Sequence, residues 1–442
     1  MKPSSFAVPL ALAVVATLTP RAASANGRFP AANQLVVAPD DPSVMTLRTT
    51  FGVLVSSDSA TTFDWICERA VGYGGVEDPS LGMTSRSTIV AGTFEGLAVS
   101  PTGGCGWTFV GGGLTKQVIV DVVVRPDAPQ TVLALTSTYL RPNDAGASTY
   151  ANQVFRSTDG GTTWDAFGAP IEDTLVAETV EVSRSDPARL YVSGVTGAGT
   201  SSRGVLLVSK DSGGTWVEKD VPLDANLRER APYVSAVDPT NPDRVYVRTS
   251  AEKTSRLLVT DDAGDTFREV RSSVPMLGFA LSADGSKVFV GGTDGLFVAS
   301  STDLAFTQRS PIQVQCLTVA GDVLYACSAE SSGFILGAST DEGATFTPKL
   351  HLHTVRGPLA CPAGSTAAQC VVDWPALQEQ LGGGPDASVK DAGADAGPGD
   401  GGGGKGCSCD LHGVGSAGVY AGACGLVAAG ILALRRRRRR AR

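Results

Sequence analysis

Ser157-Thr158-Asp159-Gly160-Gly161-Thr162-Thr163-Trp164 is an eight-residue stretch that recurs along the chain. Ser209 to Trp216 (SKDSGGTW) and Ser339 to Phe346 (STDEGATF) repeat it closely. Thr260 to Phe267 (TDDAGDTF) opens on Thr, and Ser56 to Phe63 (SSDSATTF) has Ala60 where the others have Gly. Two copies are decayed. Ser100 to Trp107 (SPTGGCGW) has Thr102 in place of Asp, and after Ser301-Thr302-Asp303 the aromatic Phe306 comes early. The starts fall at 56, 100, 157, 209, 260, 301 and 339, at intervals of 44, 57, 52, 51, 41 and 38 residues. A period of that size matches one four-stranded propeller blade.

The repeat carries turn chemistry. A carboxylate in a tight turn accepts hydrogen bonds from nearby backbone N–H groups. Gly reaches a positive φ that other residues adopt only under strain. The Ser or Thr hydroxyl satisfies a further turn group, and the closing aromatic buries a large ring against the hairpin. Asp58, Asp159, Asp211, Asp262, Asp303 and Asp341 are therefore read as structural, not catalytic. The matching aromatics are Phe63, Trp107, Trp164, Trp216, Phe267, Phe306 and Phe346. The flanks agree. Apolar stretches such as Gly204 to Ser209 and Leu190 to Val195 alternate with turn signals such as Ser185-Asp186-Pro187 and Asp238-Pro239-Thr240-Asn241-Pro242. That pattern predicts short strands joined by hairpins. The expected fold is all-β, a propeller of about seven four-stranded blades over residues 26–350, with closure at six or eight left open.

The motif S-x-D-x-G-x-T-[WF] resembles the Asp-box, or BNR repeat, of the sialidase and sortilin-like propellers and of xyloglucanases. The resemblance covers roughly residues 33 to 350. Sialidases of this kind carry an x-R-I-P motif near the N-terminus and a Tyr nucleophile supported by Glu. Here Arg28-Phe29-Pro30 and Arg141-Pro142 both depart from that motif.

The two ends of the chain read differently from the body. Lys2, an apolar run from Phe6 to Leu18 and Ala23-Ser24-Ala25 form a signal-peptide pattern over residues 1–25. Residues 382–406 are nearly all Gly, Ala, Asp and Pro, a composition unable to offset ordering entropy, so they read as a disordered linker. Residues 407–442 hold Cys407-Ser408-Cys409-Asp410, an apolar stretch from Gly413 to Leu434 and seven Arg among the last eight residues. A stretch of that length can span a bilayer, with the Arg cluster on the cytoplasmic side. This tail resembles the MYXO-CTERM sorting signal of myxobacteria. The resemblance implies a membrane-anchored precursor, a sorting peptidase as partner, attachment through Cys407 or Cys409, and final display on the cell surface. A plain C-terminal membrane anchor is the simpler alternative.

The net charge of −8 hides an asymmetry. With the seven tail Arg, Lys2 and Arg21 set aside, 27 basic residues face 44 acidic ones, a balance of −17. An acidic body argues against nucleic acid as a partner. Nine cysteines suit an oxidising compartment. Cys361 and Cys370 bracket a short step and predict a local disulfide within a closing segment, 351–381. Cys316 and Cys327 lie on successive strands and could pair, as could Cys67 and Cys105 across blades one and two. Spacing alone leaves the connectivity open.

No catalytic, cofactor or metal residue is assigned. His351 and His353 alternate on one face, but a metal site needs more ligands in register. Variable loops on a rigid scaffold are where binding usually sits, which makes Tyr73, Arg141, Tyr150 and Arg228 candidates for the face opposite the repeat turns. The expected function is a non-catalytic, surface-displayed module that binds a glycan, a protein or an envelope component. The alternatives are a secreted sialidase-like or xyloglucanase-like glycoside hydrolase using paired carboxylates, and an assembly factor like the photosystem-assembly propellers.

Overall fold

In the computed structural model, residues 28–144, 146–197 and 201–382 are described. The stretches expected to be a signal peptide and a linker, with Cys407, Cys409 and the apolar tail, lie outside them.

Twenty-eight strands form seven sheets of four, each sheet built from consecutive strands paired antiparallel. The chain is a seven-bladed β-propeller. The first strands of the blades are Ala32–Val37, Ser80–Ser85, Ile119–Val124, Val176–Val182, Ala231–Val237, Met276–Leu281 and Cys316–Ala320. Each neighbours the next around the axis, and the last returns to the first. An apolar cluster fills the seam between every pair of neighbouring blades. Leu133, Val154, Val180, Val192 and Leu207 pack blade 3 on blade 4, and Tyr246, Val259, Val288 and Val290 pack blade 5 on blade 6. Second and third strands are buried on both faces between blades, which is why they read as near-continuous apolar runs such as GVLLVS.

Polar side chains on the first strands clasp the next blade. Gln34 exchanges two hydrogen bonds of 3.0 Å with the Leu81 backbone. Ser80 Oγ accepts from Val122 N at 3.1 Å, and Asp121 Oδ2 accepts from Val180 N at 3.0 Å. Thr179 Oγ1 accepts from Val234 N at 3.0 Å. Thr318 Oγ1 donates to Leu35 O at 2.9 Å, across the seam where blade 7 meets blade 1.

Each third strand ends on the first hydroxyl of a repeat turn. In blade 3, Asp159 Oδ1 accepts from the Ser157 hydroxyl at 2.7 Å, Thr162 N at 3.0 Å and Thr163 N at 2.9 Å, and Oδ2 accepts from the Thr163 hydroxyl at 2.6 Å. The Thr163 hydroxyl, with its N–H, holds the Asp159 carboxyl down at about 2. The fifth position of every turn has positive φ: Ala60, Gly104, Gly161, Gly213, Gly264, Leu304 and Gly343. In blade 6 the sequence register is one residue off. The strand ends at Ser300, whose Oγ accepts from Thr302 N at 3.1 Å. Thr302 thus stands where the other turns, except that of blade 2 with Thr102, have Asp, and Asp303 accepts only from Ala305 N, at 3.0 Å, among the hydrogen bonds described. Thr302, not a carboxylate, occupies the third position, and the turn is one residue short between Leu304 and Phe306.

The segment after Leu350 corrects two expected disulfides. Cys370 bonds Cys67 and Cys361 bonds Cys105, so neither the local Cys361–Cys370 pair nor the Cys67–Cys105 pair forms. The reason is tertiary. The segment lies along the outer edge of blade 1, where Trp65 N donates to Gly357 O at 2.7 Å and Leu359 N to Trp65 O at 2.8 Å. It then reaches the blade 2 turn, where Ala367 N donates to Cys105 O at 3.0 Å. Cys316–Cys327 forms between paired strands, as expected.

Two measurements follow. Non-reducing peptide mapping yields Cys67–Cys370 and Cys105–Cys361 linked peptides and no Cys361–Cys370 peptide. Phe63, fully buried in the blade 1 turn, costs about 3–5 kcal/mol of unfolding free energy when changed to Ala, read by denaturant titration.

Candidate functional site

The repeat turns lie on one face together with the first-to-second strand turns of their own blades. Ser59 N donates to Ser43 O, Gly160 N to Gln130 O, Ser212 N to Ala188 O and Ala263 N to Asp243 O. The inter-blade links and the second-to-third strand hairpins therefore form the opposite, loop face.

Blade 3 stands out there. Its second and third strands, Val132–Pro142 and Ser148–Ser157, have 11 and 10 residues, against four to seven in the other blades. β-Branched and aromatic residues extend the ladder to Tyr139↔Tyr150. Those two rings meet edge-on, with centroids 5.8 Å apart. Tyr139 is 45% exposed and Leu140 56%, and Arg141 next to them is exposed. The Arg141 carbonyl accepts from the Thr149 hydroxyl at 2.6 Å, which ties the end of the hairpin together. The link that follows braces the hairpin base: Asn152 Nδ2 donates to Glu172 O and Leu175 O, both at 2.8 Å.

Of the four loop-face candidates, the structure brings Arg141 and Tyr150 onto this one hairpin. Arg228 is exposed on the separate link between blades 4 and 5, at φ 56°. Tyr73 is no surface residue. It is buried, and its hydroxyl has no hydrogen-bond partner among the described residues. The short helix Glu68–Val71 ends on left-handed Gly72 and turns the ring inward. Burial then pushes the Tyr73 hydroxyl far up.

A second cluster lines the central channel. Asp121, Glu178 and Glu181 are half-buried on the first strands of blades 3 and 4. Burial raises Asp121 to about 6, against the hydrogen bonds from Val180, Ser80 and Val122. Burial, then the like charge of Asp121, raises Glu181 to about 8. Burial raises Glu178 to about 7, opposed by its hydrogen bond with Tyr233 and by the Arg248 charge. Arg248 stacks 4.7 Å over the Tyr233 ring and donates to Met276 O at 3.3 Å. The pattern was open to reading: a carboxylate inside an apolar first strand, as in IVDVVV and VAETVEV, is unusual enough to mark. At the N-terminal edge, Arg28 pairs with Asp78 at 2.6 Å, and Arg48 holds Asn33 at 2.7 Å and Pro79 O at 3.0 Å.

One groove of about 410 Å³ lies on the turn face, at the seam of blades 2 and 3, lined in part by Thr84, Ser85, Gln130, Asp159 and Thr162. Asp159 there is committed to its own turn. His351 and His353 stack at 5.4 Å, and His351 Nδ1 lies 3.0 Å from Glu330 Oε2. Among the described residues no three His, Cys, Asp or Glu side chains converge in a way that could hold a metal ion.

No protein-family model matches the chain, and no curated protein matches it. Among solved structures it is similar to a GH74 enzyme of Niastella koreensis, at 17% identity over 72% of this chain and 71% of that one, with a TM-score of 0.32. It is similar to the GH74 xyloglucanase of Xanthomonas campestris, at 15% identity over 71% and 64%, with a TM-score of 0.35. It is also similar to Sqt1 of Chaetomium thermophilum bound to the N-terminus of the ribosomal protein L10, at 16% identity over 73% and 88%, with a TM-score of 0.45. The chain spans less than two thirds of the Xanthomonas enzyme's length. The neighbours include enzymes and a protein-binding propeller.

The channel carboxyls fix a pH dependence. A carboxyl raised in the folded state keeps its proton where the unfolded chain has lost it. Its stabilising effect is complete below the unfolded value near 4 and is lost as pH rises through the folded value. The melting temperature therefore falls between about pH 4 and pH 8. Glu181→Gln, which fixes the uncharged form, flattens the upper part of that fall in a calorimetric pH series.

Proposed function

We propose that this protein is an exported, surface-displayed propeller that binds a macromolecule of the cell exterior without turning it over. The repeat turns are read as Asp-boxes, scaffold elements that set the blades. The tail is read as a MYXO-CTERM signal that delivers the body to the outer envelope through Cys407 or Cys409.

The observation that carries the binding reading is the blade 3 hairpin. It carries an aromatic pair, an exposed Leu and an Arg on second and third strands longer than those of the other blades, with a braced base. Exposed aromatic and Arg side chains are favoured anchors at recognition surfaces, and a rigid base lowers the ordering cost of binding. A glycan or a protein fits that chemistry.

A secreted glycosidase is the second reading, favoured by one observation. Glu178 and Glu181 hold protons near neutral pH, as a general acid must. Against it, Asp121 is spent on backbone clasps between blades.

Pull-down of envelope material by the purified protein tests the first reading. Tyr139→Ser with Leu140→Ser is expected to lower capture at least tenfold with an unchanged melting temperature; undiminished capture removes the hairpin from the account. Turnover of fluorogenic glycosides that disappears in Glu178→Gln or Glu181→Gln would overturn the non-catalytic reading.

A further inference from the structure

The segment from His351 to Leu381 is a strap attached at two places to blades far from it in sequence. Its two disulfides span 303 and 256 residues. Between and around them it is fastened by contacts of several kinds. Arg356 N donates to Phe63 O at 3.0 Å, and the Arg356 guanidinium pairs with Asp64. Trp374 packs on Trp65 with ring centroids 5.8 Å apart. Arg69 pairs with Asp373 at 2.8 Å and donates to Gln369 O at 2.6 Å. Thr366 Oγ1 accepts from Trp107 N at 2.9 Å.

The strand just before the strap is the weakest point of blade 7. Thr347–Leu350 is four residues long, lies at the sheet's edge, and pairs with Leu336–Ser339 at three positions with a register break. A pull along the C-terminal chain would peel such a strand one hydrogen bond at a time. In this structure the pull meets Cys370 first. Cys370 is buried and bonded to buried Cys67, whose N–H lies 3.0 Å from Cys370 Sγ. Cys67 follows directly on the outer strand of blade 1, Asp64–Ile66, which is paired with Val53–Val55 on one side and with the strap on the other. That strand is not a free edge.

We infer that the strap is a load-bearing latch: tension on the C-terminal chain enters the fold through Cys370 into blade 1, with Cys361 into blade 2 as reserve, and bypasses the outer strand of blade 7. The inference rests on the proposed C-terminal attachment for its purpose, but the load path is a property of the fold. The same latch holds blade 7 to blade 1 at the seam that the chain's own order leaves unconnected.

Optical tweezers on the full-length protein test it, with one handle at the C-terminus and one on exposed Asn226 in the link between blades 4 and 5. In the oxidised protein the first step within the folded body releases only residues beyond Cys370, about 40 Å of contour at about 3.4 Å per residue. After full reduction, verified by a count of free thiols that includes Cys67 and Cys370, the first step includes the strap and the edge strand of blade 7, about 120 Å by the same measure. Cys67→Ser with Cys370→Ser moves the stop to Cys361, giving a first step of about 70 Å. Equal first steps in oxidised and reduced protein, or a step of about 120 Å in the oxidised protein, overturn the latch. If the variant does not fold, reduction of the native protein still decides the matter. Protease shaving of whole cells tests the surface attachment separately; failure there leaves the tweezers result standing.

Discussion

A ring of consecutive sheets has one seam that chain order does not join. Blades 1 through 7 follow one another in sequence, so every other seam is crossed by a short link. Blade 7 meets blade 1 with no link and no shared sheet, since each sheet is built from its own four consecutive strands. Closure there depends on the Thr318–Leu35 hydrogen bond, on an apolar cluster that runs through blades 7, 1 and 2, and on the strap. Trp374, Leu377, Leu381 and Val355 of the strap belong to that cluster or pack on it. The two long-range disulfides fix a closure that apolar burial alone would leave reversible.

The repeat turns solve a different problem, that of ending one strand and starting the next within a few residues. A Ser or Thr hydroxyl, a carboxylate and a residue of positive φ share the work. Where one part is missing the others carry the turn. Ala60 takes the left-handed position in blade 1, and Asp58 keeps its hydrogen bonds to Thr61 and Thr62. In blade 2, Thr102 Oγ1 accepts from Gly106 N at 2.8 Å in place of a carboxylate. Since these Asp residues are satisfied within their own turns, they are poor proton donors or nucleophiles.

The channel shows the opposite electrostatics. The repeat Asp residues are held low by hydrogen bonds at the surface, while Glu178 and Glu181 are held high by desolvation between blades. Asp121 links the two regimes, for it clasps two neighbouring blades and also raises Glu181. The core of the ring is thus kept near neutral largely by protons, and its cost appears as stability lost between about pH 4 and pH 8.

The period of S-x-D-x-G-x-T-[WF] was sufficient to read the blade size and a count of about seven, because a turn is a local object whose hydrogen bonds close within eight residues. The pairing of Cys316 with Cys327 was legible for the same reason: they sit on adjacent strands. Local spacing misled at Cys361 and Cys370, at Asp303 and at Tyr73, where a remote blade edge, a strand that ends one residue early at Ser300 and an inward-turning helix decided the outcome. The extended blade 3 hairpin was equally hidden, whereas the channel carboxyls are marked in the sequence by their place inside apolar first strands. Sequence determined each blade; only the closed ring decided which residues meet across blades, since contacts between residues hundreds of positions apart exist only once all seven sheets are packed around one axis.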